Sequence, residues 1–469
     1  MANNERYLIF APSGVEYPVD SDRSIGSPAF WSMAEKEALK RDYAPLADEP
    51  VYLEICRKLG ISWEEMSDSG HMRYGPKGAL VFDLLADYVN EVVRDLELPF
   101  FQVRGTNMFS LDEGPVAQHA ALFGDRLYAV KDPDSGRQHV LRYAACHQQF
   151  AMIKHWQISY RHLPFAAFEL ADSYRMEQSG ECMLAFRTRR LNMPDLHVFA
   201  KDQPEAAAWF MRLHQRIMDE VHRFGDHYEL LVNLSSDQAY QSNRALLQGL
   251  AEALGKPLLI HIYPGDRDYY WTVNAEYHII DVMGRAREIG TVQIDVGNAE
   301  RFGISYVDSD GSRQYPIILH SAVIGTIERF LYLILNRAAS DMVAGRVGQL
   351  PYWLAPEQIR LLPVNSDHVA RSRALAAALN KRGIRAGIDD RPEKVGKKVR
   401  DAHGDWVPAL IVIGEQEVKQ GVYRLVKRRD QSELLCSEGE LVDLLRQDQC
   451  DYPWRPLYFP AQMSLRPVF

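Results

Sequence analysis

Three sets of residues have side chains and spacings that could do chemistry. Arg175 and Glu177 lie two apart on one arm of an expected hairpin, and Arg187 and Arg189 lie two apart on the other. Side chains alternate along a strand, so each pair would share a face. Three arginines with one carboxylate would make an anion site able to grip phosphate in bidentate fashion. A cross-strand ladder of salt bridges satisfies the same spacing. Arg329 stands in the first turn of an otherwise apolar helix, TIERFLYLILNRAA. A cation beside a positive helix end is poorly placed unless an anion is there too; the other reading is an ion pair to a carboxylate such as Glu328. The third set is Cys146, His197 and His320, with Asp195 two residues before His197. Thiolate and imidazole are zinc ligands. Cys146 lies 51 residues before His197 and His320 lies 123 after it, spacings that carry no motif. Taken singly, each is more often a core residue than a ligand.

Composition narrows the class. A chain of 469 residues with 46% hydrophobic and 25% charged residues folds as two or three globular domains. The apolar run YLIFA near the start is too short for a secretory signal, and FLYLIL is far below the roughly 20 residues of a bilayer span. A cytoplasmic protein with no membrane partner is expected. The five cysteines, Cys56, Cys146, Cys182, Cys436 and Cys450, form no CxxC pair, which argues against a disulfide framework and a zinc ribbon. Net charge is -9, which by itself disfavours nucleic acid. The charge is uneven, however. Residues 381–400 hold eight Lys or Arg against Asp389, Asp390 and Glu393, and Arg424, Lys427, Arg428 and Arg429 cluster further on. Such clusters are commonly solvated helix faces.

The elements that must position these groups follow from pattern. Residues 1–50 read as a strand with a turn, then a helix, and carry no visible chemistry. Val81, Leu84, Leu85, Tyr88, Val89, Val92, Val93 and Leu96 keep the spacing of an amphipathic helix. PFFQVRGTNMF reads as a strand ending at Gly105. LPFAAFELADSYR and AFRTRRLNMPDLHVFA form the hairpin, around a polar segment with Gln178, Ser179 and Gly180. PLLIHIY, TVQIDV and YPIILHSAV read as further strands. This mixture favours an α+β antiparallel sheet with flanking helices over a doubly wound parallel one. YWLAPEQI, with Pro351 and Pro356, reads as a linker near residue 355. Beyond it, strand and helix alternate through IRLLPV, HVARSRALAAALNKRG, IRAGID, KVGKKVRDA and PALIVIG, a βαβ-type pattern carrying the basic clusters.

The segment FELADSYRMEQSGECMLAFRTRRLNMPDLHVFAKD resembles motif 2 of the class II aminoacyl-tRNA synthetases in their threonyl form, and LHSAVIGTIERFLYLIL resembles motif 3. The likeness extends through HMRYGPKGALVFDLLADYV, GTNMFSLDEGPVAQHAALFGDRLYAV, WTVNAEYHIIDVMGRAREIGTVQIDVGNA and GIDDRPEKVGKKVRDA, nearly the whole chain from about residue 50 onward, and its wording is closest to the archaeal type. The resemblance implies a class II catalytic domain over 51–354 and a C-terminal α/β anticodon-binding domain over 355–469, after an N-terminal extension over 1–50. Its partners would be tRNA(Thr), ATP and L-threonine, with one zinc ion per subunit and magnesium accompanying ATP.

Site residues carry over by position. The resemblance implies that Arg175 holds the α-phosphate and Arg329 the γ-phosphate, while Glu177 reads adenine and Arg187 assists at the phosphates. Cys146, His197 and His320 fall on the three zinc ligands, and Asp195 on the carboxylate that accepts the hydroxyl proton of threonine. Tyr277 and Gln293 match substrate-pocket residues, and His119 matches a histidine implicated in transfer to the ribose. Glu417 matches an anticodon contact. Four positions depart from the family pattern: Thr106 replaces the motif 1 proline, Leu191 an aromatic under adenine, Met193 a pocket glutamine, and Val426 an anticodon arginine, with Lys427 beside it. Class II members dimerise through motif 1, so a homodimer is implied. Fuller members carry an N-terminal editing domain, whereas about 50 poorly matched residues stand here, so mischarged Ser-tRNA(Thr) is expected to be cleared by a separate editing protein. A paralogue that adenylates for a carrier protein or small molecule, and a non-catalytic tRNA-binding regulator, are the rival readings.

Overall fold

A computed structural model describes residues 5–43, 49–121, 123–265 and 269–467. The chain divides into two compact units, one of residues 1–48, 65–71 and 89–333, the other of 49–64, 72–88 and 334–469.

The first unit is built on a ten-stranded sheet. Its strands, in chain order, are β1 (Arg6–Phe10), β2 (Glu16–Pro18), β3 (Phe100–Gln102), β4 (Phe165–Tyr174), β5 (Arg190–Ala200), β6 (Glu229–Leu234), β7 (Leu258–Ile262), β8 (Trp271–Ile280), β9 (Ala286–Asp295) and β10 (Ile317–Ser321). They lie in the order β2-β1-β7-β6-β8-β9-β10-β5-β4-β3. Only β6 with β7 and β3 with β4 pair in parallel, so the sheet is antiparallel across its centre. Residues 6–18, read from sequence as part of an extension without visible chemistry, supply two of these strands.

Register places the site. One row of paired residues crosses nine strands: Tyr7, His261, Asn233, Asn274, Gln293, His320, His197, Ala167 and Phe101. Paired residues share a face, so positions far apart in sequence converge here. Against the other face packs the long helix Gln203–Arg223, whose N-cap Asp202 accepts from the Glu205 N–H. Its buried stripe is Trp209, Phe210, Leu213, Ile217 and Val221, each contributing about 1.5–3 kcal/mol on burial.

The second unit has a five-stranded sheet, with strands β11 (Ile359–Pro363), β12 (Ala386–Ile388), β13 (Ala409–Ile413), β14 (Val422–Lys427) and β15 (Glu433–Ser437) in the order β12-β11-β13-β14-β15. The first three are parallel and the last two antiparallel, and helices Val369–Lys381 and Val395–Gly404 make the crossovers. The segment read as a linker is buried at Trp353, Leu354 and Ala355. The buried Arg385 guanidinium donates to the carbonyls of Trp353, at 2.5 Å, and Ala355, at 3.1 Å, which satisfies backbone that would otherwise need water.

Candidate active site

A cavity of about 340 Å³ opens on the face of the first sheet that carries the polar row. At one end lie Cys146, His197 and His320, whose ligand atoms are all within 4.8 Å of one another. Helix Cys146–Ile153 brings the thiol over β5, where Phe150 packs on the His197 ring at 4.9 Å. His197 Nε2 and His320 Nδ1 are 3.0 Å apart. The opposite nitrogen of each ring is engaged: His197 Nδ1 lies 2.9 Å from Gln149 Oε1, and His320 Nε2 2.7 Å from Asp295 Oδ2. Such bonds turn the free lone pairs inward, as metal-binding histidines require. The donor set, one thiol and two imidazoles beside an open cavity, fits zinc with a coordination position left for substrate. Asp195 is buried next to them, and burial raises its carboxyl to about 7 against the pull of His320 and Arg142. Burial also raises the Cys146 thiol, with Asp195 and Asp295 adding to it, and lowers His197. A divalent cation would reverse the shifts of the thiol and the carboxyl, whereas the neutral imidazole is already the form that binds metal.

The other end of the cavity is built from the hairpin loop. The β4 strand ends at Tyr174 and β5 begins at Arg190, so Arg175, Glu177, Arg187 and Arg189 lie beyond the paired strands and period-two alternation does not place them. Loop hydrogen bonds do: Arg175 N–H to the Arg189 carbonyl at 2.8 Å, Glu177 N–H to the Arg175 carbonyl at 2.8 Å, and Met183 N–H to the Arg187 carbonyl at 2.9 Å. Arg175, Arg187 and Arg329 face the cavity with Glu177. Arg187 forks onto Glu177 Oε2 at 3.1 and 2.9 Å, and Arg126 lies 3.3 Å from the same oxygen. Arg189 instead turns away, donating to the Glu177 carbonyl at 2.8 Å and to Asp68 at 2.9 Å. Arg329 pairs with Glu288 rather than a carboxylate of its own helix. The helix carrying it, Ile327–Val343, approaches β9 through Gly325, where φ is +79° and a Cβ would meet the Ile289 carbonyl oxygen at 2.2 Å. Burial lowers Arg175, and Arg329 adds to this: two guanidiniums crowd one space and would be relieved by an anion.

The remaining assignments divide. Gln293 lines the cavity, accepting from the Tyr270 hydroxyl at 3.0 Å and donating to Asn274 at 3.3 Å. Tyr277 does not. It lies on the opposite face of β8, fully buried, with its hydroxyl 3.0 Å from His214 Nδ1 of helix Gln203–Arg223. The reason is parity: Asn274 and Glu276 line the cavity, so the odd position points behind the sheet. Tyr270, Asn274, Glu276 and Glu288 were not singled out from sequence, though Asn274 and Glu276 follow from the strand once its register is known. His119, on helix Gly114–Ala121, stacks edge-on behind Tyr270 at 6.0 Å with Nδ1 buried and unpartnered. Burial, then Arg175 and Arg301, lower it to about 4, leaving a neutral imidazole. Leu191 and Met193 line the cavity, and the Thr106 N–H donates to Gln148. In the second unit, Glu417 accepts from the Gly414 N–H at 2.9 Å and Lys427 pairs with Asp448 at 2.8 Å.

Comparison with known proteins identifies the family. Residues 128–338 match the class II tRNA synthetase core domain (G, H, P, S and T), and residues 358–448 match the anticodon binding domain. The chain is 45% identical over 461 residues to the threonine–tRNA ligase of Pyrobaculum arsenaticum, spanning 98% of this chain and 74% of that protein. It is 46% identical over 464 residues to that of Thermofilum pendens, spanning 99% and 75%. The fold superposes with a TM-score of 0.75 on the RNA binding domain of threonyl-tRNA synthetase from Cryptosporidium parvum, at 21% identity, over 86% of this chain and 99% of that one. No helix among the described residues is long and apolar enough to cross a membrane. The chain belongs to the threonyl-tRNA synthetases, class II enzymes with a core domain and an anticodon binding domain.

Proposed function

We propose that this chain activates L-threonine with ATP and transfers it to tRNA(Thr) in the cytoplasm. The observation that carries the reading is the meeting, around one cavity, of a Cys/His/His triad and Asp195 with Arg175, Arg187 and Arg329. In the first step the threonine carboxylate attacks the α-phosphorus, a P–O bond forms, and the bond to pyrophosphate breaks. Charge spreads over phosphoryl oxygens, which preorganised guanidiniums and ATP-bound magnesium stabilise without a protein nucleophile. Arg175 and Arg329 take that role, Glu288 holding Arg329 until phosphate displaces it. Glu177, held by Arg187, accepts from the adenine amino group. In the second step the terminal ribose hydroxyl attacks the activated carbonyl and AMP leaves. His119, whose ring meets Tyr270 edge-on at 6.0 Å and which burial keeps neutral, takes the proton of that hydroxyl in this reading.

Cys146, His197 and His320 would hold zinc, which supplies a Lewis acid able to bind the amine and hydroxyl of threonine together. Asp195 accepts the hydroxyl proton, and Gln293 with Tyr270 orients the substrate. Valine has no hydroxyl and leaves both a cation and a carboxylate unsatisfied. Serine lacks only a methyl, worth about 1–3 kcal/mol, so serine is activated too. A homodimer, with Phe101 exposed on the terminal strand β3, belongs to the same reading. Aminoacylation of a tRNA(Thr) transcript tests it: threonine is transferred to the tRNA, whereas an enzyme serving a carrier protein makes adenylate and leaves the tRNA uncharged.

A further inference from the structure

Gln149 stands three residues after Cys146 on the same helix and is fully buried. Its carboxamide touches two functional groups at once. Nε2 donates to the Asp195 carbonyl at 3.0 Å and to Asp195 Oδ2 at 3.3 Å, while Oε1 faces His197 Nδ1 at 2.9 Å. The amide cannot be turned round, because its oxygen would then face two acceptors on Asp195. With the oxygen on His197, Nδ1 must carry the proton and Nε2 is left with its lone pair toward His320.

We infer that Gln149 is a positioning residue that couples metal retention to threonine recognition, its oxygen fixing the tautomer of His197 and its nitrogen aiming the Asp195 carboxylate. His320 is oriented separately by Asp295, which caps Gly297 and Asn298 through its other oxygen. Gln149 therefore governs one imidazole and the carboxylate that accepts the threonine hydroxyl proton. This rests on the zinc reading proposed above.

The two ends of the amide can be separated. Gln149→Glu keeps an acceptor for the His197 Nδ1–H but opposes Asp195 with another acceptor. It retains zinc, with affinity within about threefold of the parent, while the threonine KM rises at least about tenfold and the ATP KM stays unchanged. Gln149→Met, close in volume, loses both bonds, and its zinc affinity falls about 10- to 100-fold. Zinc is measured by metal analysis and by titration with a competing chelator, and folding by thermal melting. Equal loss of zinc in the two variants, or a threonine KM within threefold of the parent in both, overturns the inference. Cys146→Ser distinguishes the layers. If it loses zinc while both Gln149 variants match the parent, only the coupling fails; if it keeps zinc and threonine affinity, the zinc reading itself fails.

Discussion

Arg329 Nη1 lies 2.9 Å from Glu288 Oε1 at the end of the cavity shared with Arg175. Burial pushes the Glu288 carboxyl up, but Arg329 and then His278 bring it below the ordinary range. The carboxylate thus keeps the guanidinium in place when phosphate is absent. Arg329→Ala should lower kcat/KM for ATP in pyrophosphate exchange by 10²–10³, equivalent to about 3–4 kcal/mol. The threonine KM should stay within about threefold. Steady-state exchange with each substrate varied in turn checks this; equal loss for both substrates contradicts it.

Asp68 and Arg189 form a clasp at the base of the loop that bears Arg175, Glu177 and Arg187. Arg189 bonds to the loop two ways, its carbonyl accepting from the Arg175 N–H and its Nε donating to the Glu177 carbonyl, while its own backbone N–H donates to the Gly70 carbonyl outside the loop. Asp68 is its counter-charge, shared with the Tyr128 hydroxyl at 2.5 Å and His71 at 2.8 Å. Asp68 is partly exposed, so its effect is moderate. Asp68→Asn should raise the ATP KM by about 3- to 10-fold and leave zinc content and threonine KM unchanged.

Tyr277 and Tyr270 should separate stability from recognition. Tyr277→Phe removes one buried hydrogen bond to His214 and should cost about 1 kcal/mol in unfolding experiments, with exchange kinetics near the parent. Tyr270→Phe frees Gln293 and should raise the threonine KM by about tenfold. The reverse pattern would show that the face assigned to β8 is wrong.

Much of this was legible in residues and spacing. The helix spanning Val81 to Val93 follows from periodicity, because it has one buried face, and the strands Ile359–Pro363, Ala386–Ile388 and Ala409–Ile413 follow from short apolar runs buried on both faces between helices. The site was legible in a different way. Nothing in the intervals between Cys146, His197 and His320 unites them; strand register pairs the two histidines and a helix laid over β5 brings the thiol, and both depend on long-range contacts that no local pattern encodes. Arg189 was read as a cavity group because alternation was extended past Tyr174, where the loop's own hydrogen bonds take over. Tyr277 was misplaced for a related reason: one residue of register exchanges the faces of a strand, and β8 carries irregularities after Trp271 and Tyr277. Gln149, three residues beyond Cys146, has meaning only once β5 lies beneath it.

In the proposed reading the triad selects threonine through its hydroxyl and amine together. Its most direct test is pyrophosphate exchange with threonine, serine and valine on one preparation of known zinc content, before and after chelation. Serine should be activated about 10- to 200-fold less efficiently than threonine, valine should be weaker still by orders of magnitude, and chelation should abolish threonine activation while readded zinc restores it. Threonine activation that survives in zinc-free protein, or valine accepted as readily as serine, would contradict it.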